Sequence, residues 1–247
     1  MSRAAIFYHG FLTDDKDFGR LYESVEKYYD KIVKYVFPGH ETPNDFSRFT
    51  VDGTFDTALS SYDELRREFD EVDVYGFSMG GAMSTHVAKL KDPKRLILFA
   101  PANKYLNMTF VFEQFKYQLK TATELMKERD KEKYKALKKE LDVYFANDRK
   151  GWSIFVRQLF PNYTYHNLST FAKIIKRCNE GLTKLSPDTL IIWGKLDQFV
   201  PYDSIRFLSD MFTTEKSKVK VYEDISHLML YGKNSQEVID EVVDFIK

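Results

Sequence analysis

The feature that most constrains this 247-residue chain is a six-residue run, Gly76-Phe77-Ser78-Met79-Gly80-Gly81. It directly follows a short apolar stretch, Val72 to Tyr75. It opens a segment of small and apolar residues, Gly80 to Leu90, that Pro93 closes. A β-branched and aromatic stretch of that length predicts a buried strand, and the following segment predicts a helix. Between them the run must make a tight turn. Glycines two positions before and after the serine let strand and helix approach closely. They hold Ser78 in a strained backbone conformation, with its Oγ projecting above the sheet edge.

Five more short apolar runs predict strands: Ala4 to Tyr8, Ile32 to Phe37, Arg95 to Phe99, Thr189 to Trp193 and Val219 to Tyr222. Helical spacing fills most of the gaps. Phe18, Leu21, Tyr22, Val25, Tyr28 and Tyr29 recur in this way, as do Phe55, Leu59, Tyr62, Leu65 and Phe69. Ile205, Leu208 and Phe212 follow the fifth run, and Val238, Val242 and Ile246 the sixth, with Ser235 as the expected N-cap. Strand alternating with helix predicts an α/β domain of about six mostly parallel strands, joined by right-handed crossovers and flanked by helices.

The alternation breaks once, between the fourth and fifth strands. The body is expected over 1–101 and 188–247, and a helical cap over 102–187. Phe112, Phe115, Leu119 and Met126, then Leu137, Leu141, Tyr144 and Phe145, mark apolar helix faces there. Leu168, Phe171, Ile174, Ile175 and Cys178 mark another, ended by Gly181 as the expected C-cap.

Thirty-seven basic residues balance 37 acidic ones, so electrostatics argue against nucleic acid or an anionic membrane as the main partner. No apolar run approaches the length of a membrane span. The lone cysteine, Cys178, has no internal partner and is read as a buried small residue. The start of the chain lacks the pattern of a signal peptide, and the expected compartment is cytoplasmic.

A serine hydroxyl becomes a nucleophile when a base takes its proton. Of five histidines, His227 follows the sixth strand and so stands at the carboxyl edge of the sheet. His9 and His40 lie on that edge too but precede the nucleophile. His86 lies along the helix behind Ser78, and His166 falls in the insertion. Asp197, in Gly194-Lys195-Leu196-Asp197 after the fifth strand, is the candidate to orient the imidazole. Asp224, three residues from His227, is its competitor. Donors for a developing oxyanion would be the main-chain N–H groups of Met79 and of Phe11, in the loop after the first strand.

With these motifs in place the chain resembles the α/β-hydrolases, most nearly the small bacterial carboxylesterases and monoacylglycerol-lipase-like serine esterases. The resemblance rests on His9-Gly10-Phe11, Pro38-Gly39-His40, the run around Ser78, Gly194 to Asp197 and Ser226-His227, and it covers essentially the whole chain. It implies a Ser78-Asp197-His227 triad, an acyl-enzyme intermediate and no cofactor or metal. It also implies a cap whose apolar underside lines the acyl pocket, with Phe112, Phe115 and Tyr144 as candidates. The expected partner is a small ester with an apolar acyl or aromatic group. A thioesterase, a C–C bond hydrolase or a non-catalytic ligand-binding relative are the alternatives on the same scaffold. Ser226 replaces a glycine found in many relatives. The family's usual leading strands have no counterpart before Ala4, which predicts a minimal sheet or an edge closed by a partner such as a second copy.

Overall fold

The computed structural model describes residues 1–41, 46–104, 164–232 and 234–247. Six strands form one sheet: β1 (Arg3–Tyr8), β2 (Lys31–Tyr35), β3 (Glu71–Phe77), β4 (Arg95–Phe99), β5 (Asp188–Gly194) and β6 (Lys218–Tyr222). Their order is β2-β1-β3-β4-β5-β6, and among the described residues every pairing between them is parallel, in keeping with the mostly parallel sheet expected. β1, β3, β4 and β5 are buried along nearly their whole length, which is why they read as continuous apolar runs. The outer strands β2 and β6 alternate with exposed lysines, and β2 stops at Tyr35, before the expected Phe37.

The helices are α1 (Leu21–Val25), α2 (Val51–Glu68), α3 (Met79–Lys91), α4 (Thr164–Asn179), α5 (Tyr202–Ser209) and α6 (Ser235–Ile246). The aromatic repeat Phe18 to Tyr29 does not make one helix. It divides into a 3-10 turn, Asp15–Phe18, the short α1 and a second 3-10 turn, Glu26–Tyr28. The backbone of Gly19, at φ +47°, ends the first piece. Asn234 stands at the N-cap position of α6, with no capping bond from its side chain, so Ser235 is the helix's first residue and not its N-cap. α4 carries the expected pattern, burying Phe171, Ile174 and Cys178 as it packs on α3 and α2, and Gly181 follows at φ +67°. Burial pushes the Cys178 thiol well up, keeping it protonated.

The core is aromatic: Phe7 of β1 stacks on Tyr75 of β3 at 4.1 Å between centroids and meets Phe18 edge-on at 5.0 Å. At the amino end of the sheet, buried Asp73 of β3 takes Arg3 and Arg95, each at 3.2 Å, and the hydroxyl of Tyr29 at 2.7 Å. That cluster binds β1, β3 and β4 together on the edge away from Ser78.

The excursion between β4 and β5 leaves and returns at one point. Asn103 donates from Nδ2 to Asn179 Oδ1 at 3.1 Å, and Asn179 Nδ2 donates back to the Asn103 carbonyl. Phe112, Phe115 and Tyr144 lie outside the described residues.

Candidate active site

Strand order reverses between β1, whose chain goes on to β2 on one side, and β3 on the other. Ligands of open parallel sheets bind beyond the carboxyl ends of strands at such a point. The register pairs Tyr8 with Gly76, so the loop His9 to Leu12 and the turn at Ser78 emerge side by side.

Ser78 has φ 52° and ψ −113°, a conformation an L-residue holds only under strain. It is fixed from both sides. Its N–H donates to the Phe99 carbonyl at 2.9 Å, and its carbonyl accepts from Ala102 at 3.0 Å. A side chain at Gly80 would collide with the carbonyl of Tyr8, and one at Gly76 with Gly80 and Ser84. Only glycine permits this approach of α3 to the strands. As the first residue of α3, Met79 has a main-chain N–H with no acceptor within the helix, suited to hold an anion.

The loops after β5 and β6 bring the other two residues together. Lys195 N–H donates to the Tyr222 carbonyl at 2.8 Å, and Leu196 N–H to that of Ile225 at 3.1 Å. Trp193 Nε1 ties down the Val200 carbonyl at 2.7 Å. Asp197 is thereby buried, its Oδ1 accepting from the N–H groups of Phe199 and Val200 at 2.9 Å each. Its Oδ2 lies 2.7 Å from His227 Nδ1. An acceptor at that nitrogen makes Nδ1 the protonated one and leaves Nε2 with its lone pair. The imidazole sits between the rings of Phe77, 4.9 Å away and adjacent to Ser78, and Phe199, 5.1 Å away. No hydrogen bond links Ser78 Oγ to His227. Asp224 instead accepts from Asn234, ten residues along its own surface loop.

The remaining histidines serve other ends. His166 is exposed, and His86 is buried edge-on against Phe55. His9 is wholly buried: its Nδ1 donates to the Gly10 carbonyl at 2.8 Å and its Nε2 accepts from Phe37 N–H at 3.0 Å. His40 Nε2 accepts from Leu12 N–H at 3.3 Å. Burial lowers both, His9 to about 3 and His40 to about 4, so both are neutral near pH 7. Sequence reasoning missed Asp17, which accepts from Gly10 N–H at 2.7 Å and Thr13 Oγ1 at 2.5 Å beneath the same loop. Nothing in the acidic string Asp14-Asp15-Lys16-Asp17 separates it from its neighbours. Phe11 itself stacks on Phe171 of α4 at 4.6 Å and approaches Phe49 at 5.8 Å.

A six-stranded parallel sheet with a serine on the strained turn after β3 is the α/β-hydrolase fold, and this chain is an α/β-hydrolase. More particularly, residues 44–234 match the family described as serine aminopeptidase, S33, and the chain belongs to that family. No curated protein matches the sequence. Among solved structures it is similar to a monoacylglycerol lipase from Paleococcus ferrophilus, with a TM-score of 0.66 and 14% identity over 98% of this chain and 93% of that one. The esterase EaEST from Exiguobacterium antarcticum gives 0.66 and 16% over 99% and 92%. A meta-cleavage product hydrolase from Pseudomonas fluorescens IP01 gives 0.66 and 18% over 99% and 90%. At such identities the likeness is one of fold.

Proposed function

We propose that this protein is a serine hydrolase of carboxylic esters, of the carboxylesterase or monoacylglycerol-lipase kind, acting in the cytoplasm. The observation that carries the reading is the 2.7 Å bond from His227 to a buried, doubly anchored Asp197, with the imidazole packed against the ring of Phe77, the residue that precedes Ser78. Ser78 Oγ attacks the ester carbonyl as His227 Nε2 takes its proton, and Asp197 stabilises the imidazolium. The N–H groups of Phe11 and Met79 receive the oxyanion. The imidazolium protonates the leaving alcohol, and a water activated by the same base releases the acid. The aromatic group of Phe11, Phe49 and Phe171 beside this loop favours an apolar or aromatic acyl group.

A fluorophosphonate probe tests the reading. Folded wild type is expected to be labelled, Ser78→Ala to be unlabelled, and His227→Ala to lose turnover of short p-nitrophenyl esters. Folded wild type that resists labelling would refute it. A panel of esters, thioesters, monoacylglycerols and C–C substrates of graded length then fixes the substrate class, since fold and triad leave it open.

A further inference from the structure

Three successive main-chain N–H groups, on Gly10, Phe11 and Leu12, cross the loop beside Ser78. The outer two are taken by side chains: Gly10 by Asp17 Oδ2 at 2.7 Å, and Leu12 by His40 Nε2 at 3.3 Å. Among the described residues, no hydrogen bond engages the middle one, that of Phe11. Leu12 also has a positive φ, 59°, so the loop needs outside restraint to keep its shape.

Asp17 is well placed to supply that restraint. It belongs to the 3-10 turn Asp15–Phe18, and Phe18 anchors that turn in the core against Phe7 and Phe99. A Cβ on Gly10 would lie 3.1 Å from the Phe77 ring and 3.2 Å from Asp17 Oδ2. Gly10 is thus packed between the carboxylate and the residue before the nucleophile, and movement of the loop is felt at both. Asp17 is only 3% exposed, and its Oδ1 is buried with no partner among the described residues. Burial pushes its carboxyl up to about 7, opposed by the bonds from Thr13 and Gly10; Asp14 adds to the rise and His227 opposes it. Such a group costs stability where it stands.

We propose that Asp17 is a positioning residue for the oxyanion loop: by holding the Gly10 N–H it orients the next peptide, so that the Phe11 N–H remains the loop's donor to the reacting carbonyl oxygen. This rests on the ester-hydrolase reading. His40 performs the matching task on the far side of Phe11. Asp17 itself touches no reacting atom, so its removal acts through the geometry of the transition state and not through ground-state binding.

The test is p-nitrophenyl acetate turnover, with fluorophosphonate labelling rates, in wild type, Asp17→Ala, Asp17→Asn and Asp17→Ser. Misplacement of a donor by about 1 Å is expected to lower kcat by about 100-fold in Asp17→Ala, with KM within about twofold and labelling slowed in parallel. Asp17→Asn keeps an acceptor for Gly10 and is expected to recover kcat to within about tenfold of wild type. Asp17→Ser is too short to reach Gly10 and should resemble Asp17→Ala, which keeps the test decisive if the alanine variant does not fold. A folded Ala or Ser variant with wild-type kcat overturns the inference, as does a loss carried by KM or an Asn variant no better than Ala. Wild type that neither turns over nor labels overturns the ester reading and this inference with it. Active, labelled wild type with unimpaired Asp17 variants overturns the positioning role alone.

Discussion

At the scale of single residues, the two aspartates near His227 have different surroundings and should behave differently. Asp197 is buried under two main-chain donors and the imidazole, whereas Asp224 is exposed and bonded to Asn234. Asp197→Asn is expected to lower kcat by about 10,000-fold, because the amide holds the wrong tautomer of the imidazole. Asp224→Asn should stay close to wild type, and steady-state kinetics on one short ester compare the two directly. Ser78 offers a second check, through stability. Its φ of 52° costs an L-residue about 1–3 kcal/mol, so Ser78→Gly should be more stable than Ser78→Ala by about 1 kcal/mol in urea unfolding. The placement of Ser78, Asp197 and His227 at the carboxyl edge of the sheet could be read in the sequence because each stands within a few residues of the end of a recognisable strand. Asp17 and His40 could not be given their roles in this way. What distinguishes them is the pair of N–H groups they hold: for His40 a relation that exists only once β1 and β2 lie side by side, and for Asp17 one made when the turn Asp15–Phe18 folds back under Gly10.

At the scale of elements, the approach of α3 to β1 depends on Gly80, where a side chain would strike the Tyr8 and His9 carbonyls. Backbone cannot yield as a flexible side chain can. Gly80→Ala is therefore expected to destabilise the fold by about 3 kcal/mol or more, despite alanine's better helix propensity, with a lower thermal midpoint by calorimetry. The strands were legible because central parallel strands, buried on both faces, have only one way to be written. α4 was legible because its apolar stripe runs for about three turns, from Leu168 to Cys178. The region from Phe18 to Tyr29 misled for the opposite reason. Its aromatic spacing suits a helix, but the residues pack through two 3-10 turns whose breaks follow from local backbone geometry at Gly19 and tertiary contacts of Phe18. The start of α6 differed by one residue, because Ser235 turns its hydroxyl back to the Gly232 carbonyl at 2.9 Å and does not cap the helix.

For the whole molecule, buried titratable groups set a pH dependence with opposing parts. His9 and His40 titrate in the unfolded chain near pH 6.5 but in the fold only near 3 and 4, so the unfolded state binds more protons between these limits. Their contribution to stability is complete above about pH 6.5 and is lost as the pH falls. Asp17 runs the other way. Its folded value near 7 lies above that of a free carboxyl, so acidification relieves a buried charge and returns stability. Wild type is expected to lose stability between about pH 7.5 and pH 5, and Asp17→Asn to lose more over the same interval, as read from urea midpoints. Equal losses would show that Asp17 does not titrate in this window. The paired amides of Asn103 and Asn179 bear on descent as well as on stability. A chain that departs and returns at one clasp presents the body with the same two ends, whatever lies between them. Loop closure grows costlier only slowly with length, so the stretch that precedes α4 can be resized at little cost to the sheet, whereas α4 itself, with Phe171, Ile174 and Cys178 buried, is held in place by the body. In a lineage of such proteins the sheet and α4 can be inherited intact while the stretch between Asn103 and α4 is rewritten, and the two can change at different rates.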